Sequence, residues 1–265
     1  MRAIGLPYSE TGPASTKYDS RHHNITCRLT VALLAAVVLT LVIAPVVYAL
    51  PKRIIILRHG EKMSSYELCP VGEKRSLALR DNYLGKGAAN SLFSPGEQPA
   101  AFFATTLHCL ELANPAAQSW GMPIQLYSVV PKIPGQTTDE TVQLNERTQE
   151  AAKSILTDAR WNGKTIVVVW EHDHIADQSL EQQFYYEEVT LRQLLNLNTL
   201  PNVPPDWLGG NYDYFWIIDY GNPPGSVSSR PTRFTLKKQV FLPPYDKLPS
   251  TDWGTPEDLT GTGCE

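Results

Sequence analysis

The sequence predicts an α/β fold: a mostly parallel sheet with helices on both faces. Two short, β-branched apolar runs, Lys52 to Leu57 and Thr165 to Trp170, have the composition of strands buried on both faces of a parallel sheet. Strand-like and helix-like runs alternate along the chain, as they do in βα units. The 265 residues are 42% hydrophobic and 19% charged, with 21 Pro and 17 Gly. That balance is globular and excludes wholesale disorder or a collagen-like or coiled-coil rod. A net charge of −4 argues against a nucleic-acid partner, which needs a basic face to displace counterions.

The chain opens on a polar leader, 1–29, followed by an apolar run, 30–50. A helix rising about 1.5 Å per residue over that run would span the ~30 Å hydrocarbon core of a bilayer. Two readings stand side by side. One is a signal peptide cut after Ala49, with Val47-Tyr48-Ala49 at the cleavage site. The other is an uncleaved transmembrane anchor with its cationic N-terminus in the cytoplasm. Either one exports residues 51–265, which form one domain (51–242) and a loose Pro-, Asp- and Thr-rich tail (243–265). An exported compartment permits disulfides. Cys69, Cys109 and Cys264 are an odd number, so at most one pair forms among them, and the sequence does not choose which.

Within the domain, Lys52 to Leu57 is the first strand. A helix follows over 70–84, opened by Pro70 and carrying Leu77, Leu79 and Leu84. Residues 101–104 form a second strand, 107–120 a helix ending at Gly121, and 124–127 a third strand. Thr138 to Ala159 is a helix, 165–170 a strand and 177–197 a further helix. Tyr214 to Tyr220 is a strand, and Phe234 to Phe241 an alternating edge strand. In such sheets ligands bind beyond the carboxyl ends of the strands. Two motifs stand there: Arg58-His59-Gly60-Glu61 and Glu171-His172-Asp173-His174.

These residue types suit phosphoryl transfer. A neutral imidazole with one nitrogen free is a nucleophile toward phosphorus. The Arg58 guanidinium offers a planar fork to phosphate oxygens. Gly60 lets the backbone approach an anion closely. His172 can donate to phosphoryl oxygens as charge shifts. A carboxyl such as Glu140, Asp173 or Glu171 can protonate the leaving alkoxide.

Leu57-Arg58-His59-Gly60-Glu61 after Ile54-Ile55-Ile56 resembles the signature of the histidine phosphatase superfamily, the phosphoglycerate mutase-like proteins. In order along the chain, Leu68 to Ser76 is similar to the family's "L-S/T-x-x-G-x-x-R/Q-A" helix start. Phe102 to Pro115 resembles its "SxxxRxxxTA" segment, and Val167 to His172 its second-histidine strand in the Trp-Glu-His form of one poorly characterised subgroup. The resemblance covers roughly residues 52–220. It implies a three-layer α/β/α sandwich, no metal or other cofactor, and a small phosphorylated substrate. His59 would be phosphorylated and then hydrolysed, Arg58 and Gly60 would bind the phosphate, and His172 would complete the pocket. The acid would be Glu140 in one branch of the family and Asp173 in the other. Glu140 is slightly preferred, because this chain lacks the inserted domain of the second branch.

One departure stands out. Where the family has a second Arg, this chain has His108 or Cys109, depending on register. Arg75, Lys74 or Lys132 could compensate. The expectation is therefore an exported or membrane-anchored phosphomonoesterase. The alternative is a catalytically impaired relative that binds phosphate or another ligand. Three or more donors around His59 favour the enzyme, and a pocket plugged by Tyr or Trp favours the binder. His172-x-His174 also fits a zinc pair, although Asp177 falls one residue beyond the common spacing. His174 reads more simply as incidental. Specificity is expected in the segments 61–69, 85–100 and 128–137, with Gly85 to Pro99 overhanging His59.

Overall fold

The computed structural model describes residues 50–130, 139–221 and 230–265. The leader 1–29, the apolar run 30–50 except Leu50, Lys132 and most of 128–137 lie outside the described residues. Among the described residues no helix is long and apolar enough to cross a membrane.

The strands are β1 (Arg53–Arg58), β2 (Ala101–Ala104), β3 (Ile124–Leu126), β4 (Thr165–Trp170), β5 (Tyr214–Asp219) and β6 (Arg233–Lys238). They form a six-stranded sheet in the order β3-β2-β4-β1-β5-β6. β1, β2, β3 and β4 run parallel, while β5 and β6 join antiparallel. The helices are α1 (Pro70–Leu79), α2 (Leu107–Ser119), α3 (Glu140–Thr157), α4 (His172–Ile175), α5 (Gln178–Gln183) and α6 (Leu191–Leu194).

The period of two along β1 divides the core into two layers. Ile55 and Leu57 pack with Leu79 of α1 and Leu112 of α2. Ile54 and Ile56 pack with Ile155 of α3 and Leu191 of α6. Helices therefore cover both faces of a mostly parallel sheet, the expected three-layer α/β/α arrangement.

Three expectations need correction. The helix predicted over 177–197 is broken: α5 ends before Phe184-Tyr185-Tyr186, and the chain turns helical again only at α6. Aromatic residues disfavour continuation, and Thr190 with Gln193 forms a capping box that starts the new helix. The segment 85–99 does not overhang His59. Glu97 accepts from the Thr165 hydroxyl at 2.5 Å and pairs with Lys52 at 3.0 Å, which places it at the amino-terminal edge of β1 and β4.

The C-terminal segment is not loose. A disulfide joins Cys264 to Cys69 across 195 residues, leaving Cys109 free and buried. Trp253 packs edge-on against Trp207 and Tyr214. Arg75 sits in a buried triad, with Nε donating to Glu61 at 2.9 Å and Nη2 to Glu257 at 3.0 Å. Two carboxylates share one guanidinium there. Burial and the charge of Glu61 push the Glu257 carboxyl up to about 8, against the pull of Arg75.

Two predictions follow from this tail. Cys264→Ser should lower the unfolding free energy by about 2–5 kcal/mol in urea titrations. Glu257 binds its proton more tightly folded than unfolded. Stability should therefore be highest below about pH 4.5 as far as this group is concerned, and decline as pH rises through about 8. Glu257→Gln should flatten that decline in titrations repeated at each pH.

Candidate active site

Three neighbouring strands end level and deliver the site. β1 and β4 pair with Arg58 beside Trp170, and His59 N donates to Trp170 O at 3.0 Å. Arg58-His59 and Glu171-His172 therefore leave the sheet side by side. β2 lies on the other flank of β4 with Ala104 opposite Val169, and feeds Thr106 and His108 into the start of α2. From the far side, the segment before β5 contributes Leu208, Gly209 and Tyr212.

His59 is 1% exposed. Its Nδ1 lies 2.7 Å from the Gly60 carbonyl, which only accepts, so Nδ1 carries the proton and Nε2 presents a lone pair. Burial lowers the His59 pKa well below its ordinary value, with Glu171 opposing and Arg58 reinforcing the shift. The ring is neutral. A Cβ on Gly60 would lie 3.0 Å from Leu112 Cδ1 and 3.2 Å from Leu68 Cδ2, so a larger residue here would require those side-chain ends to shift.

Arg58 spans the site. Its Nη2 donates to His59 Nε2 at 3.1 Å and to His172 Nδ1 at 3.3 Å, and Nη1 donates to Leu208 O at 3.3 Å. The guanidinium lies 4.1 Å over the Tyr212 ring, and its buried Nε has no partner among the described residues. His172 Nε2 donates to Asp173 at 3.0 Å. That hydrogen bond chiefly lowers the Asp173 carboxyl from its ordinary value, against partial burial.

Glu171 is central to the site, and the sequence offered it only as one of three carboxyls. Its Oε1 accepts from His108 Nε2 at 2.6 Å and from the Thr106 hydroxyl at 2.7 Å. Its Oε2 stands 3.5 Å from His59 Nε2. Burial works against the ionised form, but the adjacent imidazoles and the Thr106 hydroxyl hold the carboxyl well below the usual range. The signal available in the sequence was position: Glu171 is the first residue beyond the most apolar strand.

Among the expected residues, Arg58, His59, His172 and His108 converge. The His59 ring centroid is 4.6 Å from that of His108 and 5.8 Å from that of His172. Of His108 and Cys109, it is His108 that reaches the site, with Nε2 on Glu171. Cys109 is a buried thiol whose pKa burial raises well above normal. Arg75 does not reach this site, because the Glu61–Glu257 triad consumes it. His174 turns away to Asn145 at 2.9 Å and does not pair with His172. Glu140 begins α3 behind the Asp139 cap. It lines a cavity of about 280 Å³ together with Glu171, Asp173 and His174. Ligand atoms of His59, His108 and Glu171 all lie within 4.8 Å of one another, and this is the group able to hold a metal ion among the described residues.

No protein-family model matches the chain, and no curated protein matches it. Solved structures similar to it include mycobacterial glucosyl-3-phosphoglycerate phosphatase, with 15% identity over 71% of this chain and 98% of that one and a TM-score of 0.38. Mycobacterial hydrolase 1 is similar to the same degree, with 15% identity, the same two shares and a TM-score of 0.39. Likeness at this level carries no functional argument.

The backbone under the site tolerates no extra atom. A Cβ on Gly72 would lie 2.1 Å from the carbonyl oxygen of Glu61. Gly72→Ala should therefore lower stability by about 1–3 kcal/mol or more, measured by thermal or urea unfolding.

Proposed function

We propose that this chain is a phosphomonoesterase of the histidine phosphatase type, acting on a small phosphorylated substrate through a phosphohistidine. One observation carries the proposal: Nδ1 of His59 is fixed by the Gly60 carbonyl, so the buried, neutral ring offers Nε2 beside the Arg58 guanidinium. Phosphoryl oxygens accept from Arg58, including its unpartnered Nε, and from His172 when that ring carries a second proton. His59 Nε2 forms a bond to phosphorus as the ester P–O bond breaks, and the leaving oxygen takes a proton. Water then attacks phosphorus, the P–N bond breaks, and inorganic phosphate leaves. Glu140, which lines the cavity shared with Glu171 and Asp173, is the proton donor on this reading. The Cys69–Cys264 disulfide supports an exported location, together with the apolar run 30–50.

A second reading has its own support. The second Arg is replaced by His108, and the Glu171 carboxylate faces the nucleophilic nitrogen, which opposes phosphate entry. On that reading the chain binds a phosphate-bearing ligand with little turnover.

The full-length chain assayed on p-nitrophenyl phosphate with EDTA from acidic to neutral pH separates the two. The enzyme reading expects turnover that falls at least about 10³-fold in His59→Ala. Equal turnover in the variant overturns it. So does a folded, inactive wild type, and saturable phosphate binding in that case selects the binder.

A further inference from the structure

We infer that His59, His108 and Glu171 form a binding site for a zinc-class divalent metal ion, and that the metal-bound form is closed to phosphoryl transfer. Metal binding needs only these three side chains. The closure rests on the phosphatase reading.

The donor set is two imidazole nitrogens and one carboxylate, which suits zinc and its borderline neighbours rather than magnesium or calcium. The arrangement is convergent. His108 Nε2 lies 2.6 Å from Glu171 Oε1, and His59 Nε2 lies 3.5 Å from Oε2. With metal–ligand bonds of about 2.0–2.2 Å, an ion would seat among these atoms once the His108–Glu171 pair opens and the three ligand atoms, now within 4.8 Å of one another, close on it.

The surroundings of both rings give a second, independent indication. His59 Nδ1 donates to the Gly60 carbonyl at 2.7 Å, and His108 Nδ1 faces the Ser65 carbonyl at 3.3 Å. Imidazole ligands are commonly oriented in this way, with the far N–H on a carbonyl and the near nitrogen on the metal. The Thr106 hydroxyl, 2.7 Å from Oε1, orients the carboxylate in the same manner. Nε2 of His59 and Oε2 of Glu171 also face one another as two acceptors. Arg58 satisfies the nitrogen, but between that pair of atoms there is a place for a cation.

Arg58 is the opposing term. Its Nη2 donates to His59 Nε2 at 3.1 Å and must give up that contact when a metal takes the lone pair. A guanidinium so near a dication also weakens binding. Binding also breaks the hydrogen bond between His108 Nε2 and Glu171 Oε1, because the metal takes the same nitrogen. Because the metal occupies Nε2 of His59, the nucleophile and the metal ligand are the same atom, so metal and phosphoryl group exclude each other.

The test uses the full-length chain, with Co²⁺ as optical probe and Zn²⁺ as competitor. The wild type should develop the visible bands of low-coordinate Co²⁺, lost on adding Zn²⁺ but not Mg²⁺. Affinity should weaken by about 10–100-fold or more in His108→Gln and in Glu171→Gln. Arg58→Gln should bind the metal more tightly while binding inorganic phosphate less tightly. Zn X-ray absorption on the wild type requires no variant to fold, and should give two imidazoles and an oxygen at about 2.0–2.2 Å. A sulfur shell, a hexa-aquo Co²⁺ spectrum, or bands unchanged in His108→Gln overturns the site. If the site holds, stoichiometric Zn²⁺ should suppress p-nitrophenyl phosphate turnover and EDTA restore it; undiminished turnover of the loaded protein overturns the closure. Metal binding without apo turnover sinks the phosphatase reading alone, and turnover without metal binding sinks this inference alone.

Discussion

The parallel register of β1 on β4 is the constraint on which the site depends. Arg58 lies opposite Trp170, so the two chains leave the sheet at the same height and the residues that follow must share one small volume. Apolar β-branched side chains hold that register. A slip of one residue would turn Ile54 and Ile56 from the α3 layer to the α1–α2 layer. The catalytic-looking cluster is thus fixed by the core beneath it. The Gly60 carbonyl, the Trp170 carbonyl and the Arg58 fork are all attached to those two strands, and they orient the His59 ring with little help from loops. The segment that does come from a loop, Leu208 to Tyr212, is tied to the C-terminal segment: Asn211 bonds to Thr255 O at 2.7 Å and Asp213 to the Ser250 hydroxyl at 2.7 Å. The Cys69–Cys264 disulfide and the Arg75 triad anchor that segment in turn.

Glu171 sets the character of the site. A buried pocket with Arg58 and three imidazoles would be strongly anionophilic. Placing one ionised carboxylate among them brings the local charge near balance and commits His108 to a partner. On the reading proposed above, Arg58 would draw a phosphoryl group and Glu171 a cation to the same cluster. The lone pair of His59 rests on Arg58, and a metal ion of the kind inferred above would have to displace that contact. Electrostatics in a site this dry are strong enough to decide the outcome.

Much of this was legible in the sequence. The continuous apolar runs of β1 and β4 identify buried parallel strands, and the rule for carboxyl ends points to Arg58-His59 and Glu171-His172. Other features were hidden for physical reasons. Arg75 looks like a phosphate ligand until its two carboxylate partners, 14 and 182 residues away, are seen to consume it. Glu171 and Asp173 are equivalent in sequence, and only the turn after β4 aims the first inward at His108 and the second outward at His172. Composition suggested a loose C-terminal segment, since Pro- and Thr-rich chains seldom pack. Its order comes from the disulfide and from scattered anchors, Trp253 and Glu257, that carry no periodicity. The break between α5 and α6 falls at Phe184-Tyr185-Tyr186, which weaken a helix without the Gly or Pro that would mark its end in sequence.

The central claim is that His59 Nε2 is a phosphoryl acceptor. The most direct measurement is mass spectrometry of the EDTA-treated full-length protein, quenched in alkali during reaction with a phosphoryl donor. The account predicts an alkali-stable, acid-labile phosphate on the peptide containing His59, absent from His59→Asn. A phosphate on any other side chain, or none while donor is being hydrolysed, would contradict it.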